Sequence, residues 1–281
     1  MSHQTIVVKI GGRTLAEPGV LEHLVADIQR MSSYRCVLVH GGGDEVTGLA
    51  GRLGITSEFV DGIRMTGDEE MDAVDMVLSG LVNKRVARRF QAAGVSALGM
   101  CASDGGTLVG EPIPRPDGSH SRTGRVKNGN PALLEHVLTG GYVAVVASTF
   151  MDRGGAGLNL NADDAALEIA KMLSARALLF LSDVPGILAG AGGTDSAAGA
   201  DSAGGTDSAA GAERQLIPRL SPAEVESRIS DGSIGGGMIP KVRSSVGALH
   251  AGVGTVIIGS YTETETLERM IDGQSGTRIE Q

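Results

Sequence analysis

The sequence has little of several residue types that mark large classes of protein. It contains no tryptophan, three tyrosines and four phenylalanines, so aromatic platforms that stack nucleic-acid bases are not expected. Two cysteines, Cys36 and Cys101, are too few for a disulfide framework and indicate a reducing compartment, the cytoplasm. Apolar runs such as 142–147 are too short to cross a membrane, and no signal-peptide pattern opens the chain.

The chain also lacks an excess of positive charge. Its 24 basic and 33 acidic residues give a formal net charge of −9, which argues against a general nucleic-acid-binding protein. The 281 residues are 41% hydrophobic and 20% charged, a composition typical of globular proteins. We therefore expect a globular protein with no nucleic-acid or membrane partner.

Glycine, in contrast, is abundant, with 43 residues. One low-complexity segment repeats GGTDSAAGA at 192–200 and 204–212. A unit so polar and rich in glycine cannot build a packed repeat, so we interpret 189–213 as a surface insertion without a function of its own. The other glycines fall in the globular part of the chain, and several of them follow predicted strands.

Short β-rich runs alternate with longer stretches of helical periodicity. The predicted strands are mostly continuous apolar runs, typical of parallel strands covered on both faces: 5–10, 36–39, 96–100, 142–147, 177–181 and 255–258. The predicted helices span 18–31, 68–93, 131–138, 163–174, 222–230 and 238–251. This alternation predicts an α/β fold, a three-layer α/β/α sandwich with a mostly parallel central sheet. Hairpins or turns are predicted at 54–65, 106–127 and 151–160.

Two glycine-rich turns follow predicted strands. KIGG (9–12) ends the first strand and places a lysine beside two glycines, and HGGG (40–43) ends the second and opens a helix. Backbone N–H groups of such turns can approach a phosphate closely, and ligands of open α/β sheets bind at strand carboxyl ends. Neither turn has the spacing of a P-loop or of a dinucleotide-binding fingerprint. The pattern predicts a phosphate site of another kind.

Three further polar positions fit such a site. The segment 158–164 alternates asparagines and aspartates at a helix start, where either Asn161 or Asp163 can cap the helix. A second lysine, Lys241, follows GGGMIP (235–240), and an aspartate between two lysines could hold their ammonium groups in place for phosphoryl transfer. Arg64 suits either capture of a carboxylate or a surface salt bridge. For His40 we favour a hydrogen-bonded structural role.

Seven motifs together resemble those of the amino acid kinase family, in the same order along the chain. They are VVKIGG (7–12), VLVHGGG (37–43), FVDGIRMT (59–66), MVLSGLVNK (76–84), LNLNADDAA (158–166), LFLSDVPGIL (179–188) and GGGMIPKV (235–242). The resemblance implies the amino acid kinase-like fold in a single domain, 1–281. Its N-terminal half, about 1–150, would bind an acetylamino acid and dimerise, and its C-terminal half, about 151–281, would bind the nucleotide.

The resemblance implies an activity: ATP-dependent phosphorylation of the side-chain carboxylate of N-acetyl-L-glutamate to N-acetyl-L-glutamyl 5-phosphate, in arginine biosynthesis. Lys9 would contact the transferring phosphoryl group, Lys241 would neutralise nucleotide phosphates, and Asp163 would organise both lysines. Arg64 and Asn159 would bind the acetylamino acid, Arg64 through its α-carboxylate. The phosphate-binding set is completed by Gly42 and Gly43 on the substrate side and by Gly11, Gly12, Ser182, Asp183 and Gly237 on the nucleotide side. Mg²⁺ is expected to arrive with ATP, since histidines and cysteines show no metal-ligand spacing.

Some positions depart from the family pattern and leave alternatives open. Arg13 follows the double glycine, and MCASDGG (100–106) and SRTGRVKNGN (121–130) are atypical. One alternative is a kinase acting on aminoadipate or glutamate linked to an acidic carrier protein, for which a basic rim could serve: Arg122, Arg125 and Lys127. Another is a non-catalytic amino-acid sensor on the same scaffold, which the presence of both lysines and the aspartate disfavours.

The helix predicted at 68–93 carries an apolar stripe that bears on assembly: Met71, Val74, Leu78, Leu81 and Val82. The stripe packs either inside its own chain or, as the resemblance implies, in a homodimer. Only four residues precede the first predicted strand, so we do not expect the N-terminal helix of arginine-inhibited hexamers. The expected assembly is a dimer that responds weakly to arginine.

Overall fold

The structure is a computed structural model that describes residues 4–189, 215–236, 238–261 and 263–281. The strands of this part of the chain are β1 (Gln4–Ile10), β2 (Tyr34–His40), β3 (Phe59–Val60), β4 (Ile63–Arg64), β5 (Ala97–Cys101), β6 (Leu108–Pro112), β7 (Gly124–Gly129), β8 (Val143–Ala147), β9 (Thr149–Asp152), β10 (Gly157–Asn159), β11 (Ala177–Ser182), β12 (Leu188–Ala189), β13 (Gln215–Leu216), β14 (Arg219–Leu220), β15 (Val256–Ser260) and β16 (Thr277–Ile279). The predicted central strands are confirmed.

The α-helices are α1 (Gly12–Ala16), α2 (Val20–Arg30), α3 (Gly43–Arg52), α4 (Asp68–Val74), α5 (Asn83–Ala92), α6 (Ala132–Thr139), α7 (Ala162–Met172), α8 (Pro222–Ser230), α9 (Met238–His250) and α10 (Thr266–Ile271). A π-helix, Asp75–Val82, joins α4 to α5, and a 3₁₀ turn spans Asp104–Gly106. Within the described ranges, no helix is both long enough and apolar enough to cross a membrane.

Strand order in the central sheet places β1 at a topological switch point. The order is β14-β16-β15-β11-β1-β2-β8-β5. The strands from β15 to β5 are parallel, whereas β16 pairs antiparallel with β15 and parallel with β14. The chain first builds the side of the sheet from β1 to β5 and then crosses to β11 on the other side of β1. Ligands of open α/β sheets bind at such a point, outside the strand carboxyl ends.

Side chains of the central strands alternate between two apolar cores, one on each face of the sheet. Val7 packs with residues of α6, α7 and α9, and Ile6 and Val8 pack with residues of α2, α4, α5 and α10. Since the central strands β1, β2, β8, β11 and β15 each contribute fully buried residues to both cores, the sheet is covered on both faces. This confirms the three-layer α/β/α sandwich.

The helix predicted at 68–93 is continuous but changes its winding in the middle, because 75–82 is π-helical. A π-helix bonds i to i+5, so it shifts the residues beyond it out of the phase of an α-helical stripe. Two apolar residues inside the π-helix are exposed: Leu81 of the predicted stripe at 53% and Met76 at 58%. The other four stripe residues are buried within their own chain: Met71, Val74, Leu78 and Val82. The intramolecular alternative is correct for these four.

Several elements differ from the prediction. The segments predicted as hairpins or turns contain the hairpin β3–β4 and contribute to a second, four-stranded sheet, β10-β9-β6-β7. The helix predicted from Pro18 begins at Val20, because Gly19 with a φ of +83° forms its N-cap. The insertion predicted at 189–213 lies outside the described residues except for Ala189. That residue pairs antiparallel with Gln215, so the two ends of the segment are neighbours.

Candidate active site

Two lysines and one aspartate meet at the carboxyl end of β1. Lys9 Nζ lies 2.8 Å from Asp163 Oδ1, and Lys241 Nζ lies 3.1 Å from Asp163 Oδ2. Lys9 is on β1, Asp163 in the first turn of α7 and Lys241 in the first turn of α9, and these helices pack on the same face of the sheet. The structure therefore brings together three predicted residues that are far apart in sequence.

The local sequence explains why Asp163 is available to the lysines. Asn161 is the N-cap of α7, and its side chain accepts a hydrogen bond from Asp163 N at 2.8 Å. Burial favours a higher pKa for Asp163, but the charges of Lys9 and Lys241 outweigh this and lower the pKa to about 2. The carboxylate is therefore ionised at neutral pH and holds two positive charges at one place.

The two predicted glycine turns touch each other. A Cβ on Gly12 would lie 2.8 Å from Gly42 Cα, and a Cβ on Gly42 would lie 2.9 Å from Leu78 Cδ2. Either side chain would force backbone or packed apolar groups apart, which explains the glycines physically. Gly11 adjoins Lys9, since a Cβ there would lie 3.8 Å from the lysine Nζ. The turns thus form one surface of backbone groups beside the lysines.

Other predicted residues flank this surface. Gly43 begins α3, and Ser182 ends β11, the strand that pairs with β1. Asp183 follows and forms an exposed ion pair with Arg13, with 3.8 Å between Nη2 and Oδ2. Gly237 lies outside the described residues. The Arg13–Asp183 pair therefore links the Gly11–Gly12 turn to the loop after β11.

Arg64 lies in a buried cluster next to the second glycine turn. Its Nη1 donates to Glu70 Oε1 at 2.8 Å and to Ser57 Oγ at 2.6 Å. Its Nη2 donates to Gly43 O at 3.0 Å and to Thr47 Oγ1 at 2.7 Å. The arginine side chain is only 7% exposed, so the surface salt bridge weighed from the sequence is not what forms here.

Asn159 connects to Arg64 through residues that the sequence analysis did not single out. Its Nδ2 donates to Thr66 Oγ1 at 2.9 Å, and Thr66 N donates to Thr123 Oγ1 at 3.0 Å. Thr123 Oγ1 in turn donates to Arg64 O. Both threonines are buried, so they fix Arg64 and Asn159 relative to each other. Thr66 stands in the FVDGIRMT motif, a signal that could have identified it.

His40 has the structural surroundings that we favoured. It is fully buried, with Nδ1 3.0 Å from Gly41 O and Nε2 3.1 Å from Asn83 Nδ2. A ring that donates from Nδ1 and accepts at Nε2 satisfies both contacts. Burial lowers the pKa of His40 to about 4, so the ring is neutral at pH 7. Asn83, fully buried in MVLSGLVNK, is a partner that the sequence analysis did not single out.

The basic residues considered as a docking rim are paired with carboxylates. Arg122 Nε donates to Asp68 Oδ1 at 2.5 Å. Arg125 and Lys127 both pair with Glu111, at 2.5 Å and 3.1 Å from Oε1. Their positive charge is therefore largely balanced by acidic neighbours.

The described residues offer no ready-made metal site. Within these ranges no group of three or more His, Cys, Asp and Glu side chains is placed to hold a metal ion. Asp163, an acid beside the predicted phosphate surface, is already engaged by two ammonium groups. A metal ion at this site would need oxygen ligands from the nucleotide itself.

Comparison with known proteins agrees with this architecture. The sequence model of the amino acid kinase family matches residues 4–199. Acetylglutamate kinase of Halorhodospira halophila is 36% identical over 290 residues, covering 98% of this chain and 89% of the relative. The chloroplastic acetylglutamate kinase of Arabidopsis thaliana is 35% identical, covering 98% and 75%. The chain belongs to the amino acid kinase family.

Solved structures share the fold. N-acetylglutamate synthase from Neisseria gonorrhoeae, complexed with coenzyme A and N-acetyl-glutamate, gives a TM-score of 0.79 at 25% identity, covering 100% of this chain and 60% of that one. Carbamate kinase from Giardia lamblia bound to AMP-PNP gives a TM-score of 0.68 at 16% identity, covering 100% and 99%. The second likeness is one of fold alone.

Proposed function

We propose that this chain transfers the γ-phosphoryl group of ATP to the side-chain carboxylate of N-acetyl-L-glutamate, a step of arginine biosynthesis. The observation that carries the proposal is the Lys9–Asp163–Lys241 cluster beside two touching glycine turns. Full-length similarity to acetylglutamate kinases supports this choice of acceptor.

In this reaction a carboxylate oxygen of the acceptor attacks the γ-phosphorus. The bond to the bridging oxygen breaks, its electron pair leaves with ADP, and N-acetyl-L-glutamyl 5-phosphate forms. The acceptor is already anionic, so no general base is required, and the buried neutral His40 is not placed to act as one. What the step needs is in-line positioning and positive charge on the phosphoryl oxygens.

The roles of the lysines follow from their places in the fold. Lys9 is on β1, the strand at the topological switch point of the sheet, and would contact the transferring phosphoryl group. Lys241 belongs to the C-terminal half and would neutralise nucleotide phosphates. Asp163 holds both ammonium groups at fixed positions before ATP arrives, and glycine N–H groups of both turns would bind phosphate oxygens. Arg64 and Asn159 would bind the acetylamino acid.

We propose further that ATP binds as its Mg²⁺ complex. The metal would supply charge neutralisation on the phosphates, and its oxygen ligands would come chiefly from the nucleotide. We also propose a cytoplasmic homodimer with the helix 68–92 at its interface, since Met76 and Leu81 on this helix are large, apolar and exposed. Light scattering at the mass of one chain would contradict the dimer.

A carrier-linked acceptor is the competing proposal. It needs free positive charge to dock an acidic carrier, yet Arg122, Arg125 and Lys127 are paired with Asp68 and Glu111. Kinetics with free N-acetyl-L-glutamate and with carrier-bound aminoadipate test the choice directly. A higher kcat/KM for free N-acetyl-L-glutamate is expected, and the reverse order would overturn the proposal. A protein that binds both ligands without ADP release would instead be a sensor.

A further inference from the structure

Arg64 has a counter-ion within its own chain. Its Nη1 lies 2.8 Å from Glu70 Oε1, and the two side chains are only 7% and 3% exposed. Ser57 Oγ donates to the same Oε1 at 2.6 Å and accepts from Arg64 Nη1 at 2.6 Å. The three groups form a closed triangle, in which a buried carboxylate occupies an arginine assigned above to a substrate carboxylate.

The opposite end of the guanidinium is occupied as well. Nη2 donates to Gly43 O and Thr47 Oγ1, and the ring of Phe59 lies 4.6 Å from Cζ. The two η nitrogens carry four protons in total, and the four acceptors in the chain match that number. A substrate carboxylate that approaches both η nitrogens must therefore share or displace one of these partners.

We propose that Glu70 lowers the affinity for the acetylamino acid, because the incoming carboxylate competes with it for Arg64. This inference rests on the proposed function. Solvent screens buried charges weakly, so a second carboxylate near the guanidinium is repelled by Glu70.

The Arg64–Glu70 ion pair, which opposes substrate binding, stabilises the ligand-free protein. Removal of one partner from a buried ion pair leaves the other charge uncompensated, which destabilises the fold. Glu70 therefore stabilises the ligand-free protein, and a bound substrate carboxylate could take over part of its role. The two effects predict a lower thermal stability and a tighter substrate affinity in one and the same variant.

Glu70→Gln tests this, because it keeps the shape and a hydrogen-bond acceptor but removes the charge. We expect the KM for N-acetyl-L-glutamate to fall about tenfold, with kcat and the KM for ATP within about twofold of wild type. The Tm of the ligand-free variant should be lower, and its rise on addition of N-acetyl-L-glutamate should be larger than in wild type. A merely structural role would give the lower Tm without the lower KM.

Glu45→Gln is the matched control, since Glu45 forms an ion pair of 2.6 Å with Arg85 outside this cluster. It should leave the KM for N-acetyl-L-glutamate unchanged. An unchanged or raised KM in Glu70→Gln overturns the inference, whereas a wild-type protein that does not phosphorylate N-acetyl-L-glutamate overturns the proposed function instead. If Glu70→Gln does not fold, Glu70→Asp withdraws the charge by one methylene and should lower the KM by a smaller factor. A raised KM in Glu70→Asp would also overturn the inference.

Discussion

Replacement of Asp163 by asparagine tests what the lysine cluster contributes to stability and what it contributes to turnover. Asparagine keeps the size and one oxygen of the side chain but cannot balance the charges of Lys9 and Lys241, which lie 2.8 and 3.1 Å from the two carboxylate oxygens. Both ammonium groups then lose their shared partner and repel each other. Each should leave the position at which it would meet a phosphate oxygen.

The size of the stability effect follows from the pKa of Asp163. A shift from 3.8 to about 2 means that the ionised carboxylate contributes roughly 2 kcal/mol to the free energy of unfolding. Because the folded-state pKa is the lower one, this contribution is complete above about pH 4 and is lost as the pH falls towards 2. At pH 7 Asp163→Asn should therefore lower the Tm by roughly 3–4 °C for a chain of this length. We expect kcat to fall by about 100-fold, the order found when one preorganised transition-state contact is lost.

The neighbouring Asp164 provides the control. It occupies the same helical turn, but burial, with the nearby charges of Asp163 and Glu168, raises its pKa to about 6. Folding therefore disfavours the ionised form of Asp164 relative to the unfolded chain. Asp164→Asn should leave the Tm equal or slightly higher, with kcat near wild type. Coupled detection of ADP and differential scanning fluorimetry measure both quantities. Wild-type turnover in Asp163→Asn, or an equal loss in Asp164→Asn, would refute the reasoning.

Three further outcomes are expected. Lys9→Arg should reduce kcat more than tenfold at unchanged Tm, because a planar guanidinium cannot reproduce a point contact, and an unchanged kcat would remove Lys9 from the site. His40, with its pKa lowered from 6.5 to about 4, contributes stability that is complete above pH 6.5 and declines towards pH 4, on the order of 3 kcal/mol. Urea unfolding should show this slope in wild type and a flatter one in His40→Gln, and identical slopes would contradict it. Deletion of 192–212 should leave kcat within about twofold, because Ala189 and Gln215 are already paired and loop length costs entropy only logarithmically. Loss of activity would give the repeat a function.

The fold was largely predictable from the sequence because its central strands are buried on both faces. Such strands are continuous apolar runs, and this is the pattern that the predicted strands had. Strands β14 and β16 have only two and three residues, too few for any periodicity to be visible. The π-helix escaped prediction because its apolar residues still recur at nearly helical spacing.

The candidate site was also predictable only in part. Lys9, Asp163 and Lys241 stood in short motifs, so their convergence at strand ends could be expected. Glu70 could not be predicted, because an acidic residue in the first turn of a helix is sufficiently explained by the helix dipole. Thr66 and Thr123 are separated by 57 residues and meet only in the folded chain.

The contact of Gly12 with Gly42 has a consequence for the distance between the two proposed phosphate-binding turns. The two turns end neighbouring parallel strands, with Lys9 opposite Val39 and Ile10 opposite His40. Backbone hydrogen bonds hold these strands about 4.8 Å apart, so the two turns that follow them, which we propose as the nucleotide and acceptor sites, stay in contact. Loops, hairpins and surface helices can alter which acceptor is held and how tightly. In the proposed reaction, the separation between the two glycine turns is therefore set by the β-sheet and not by the surrounding loops.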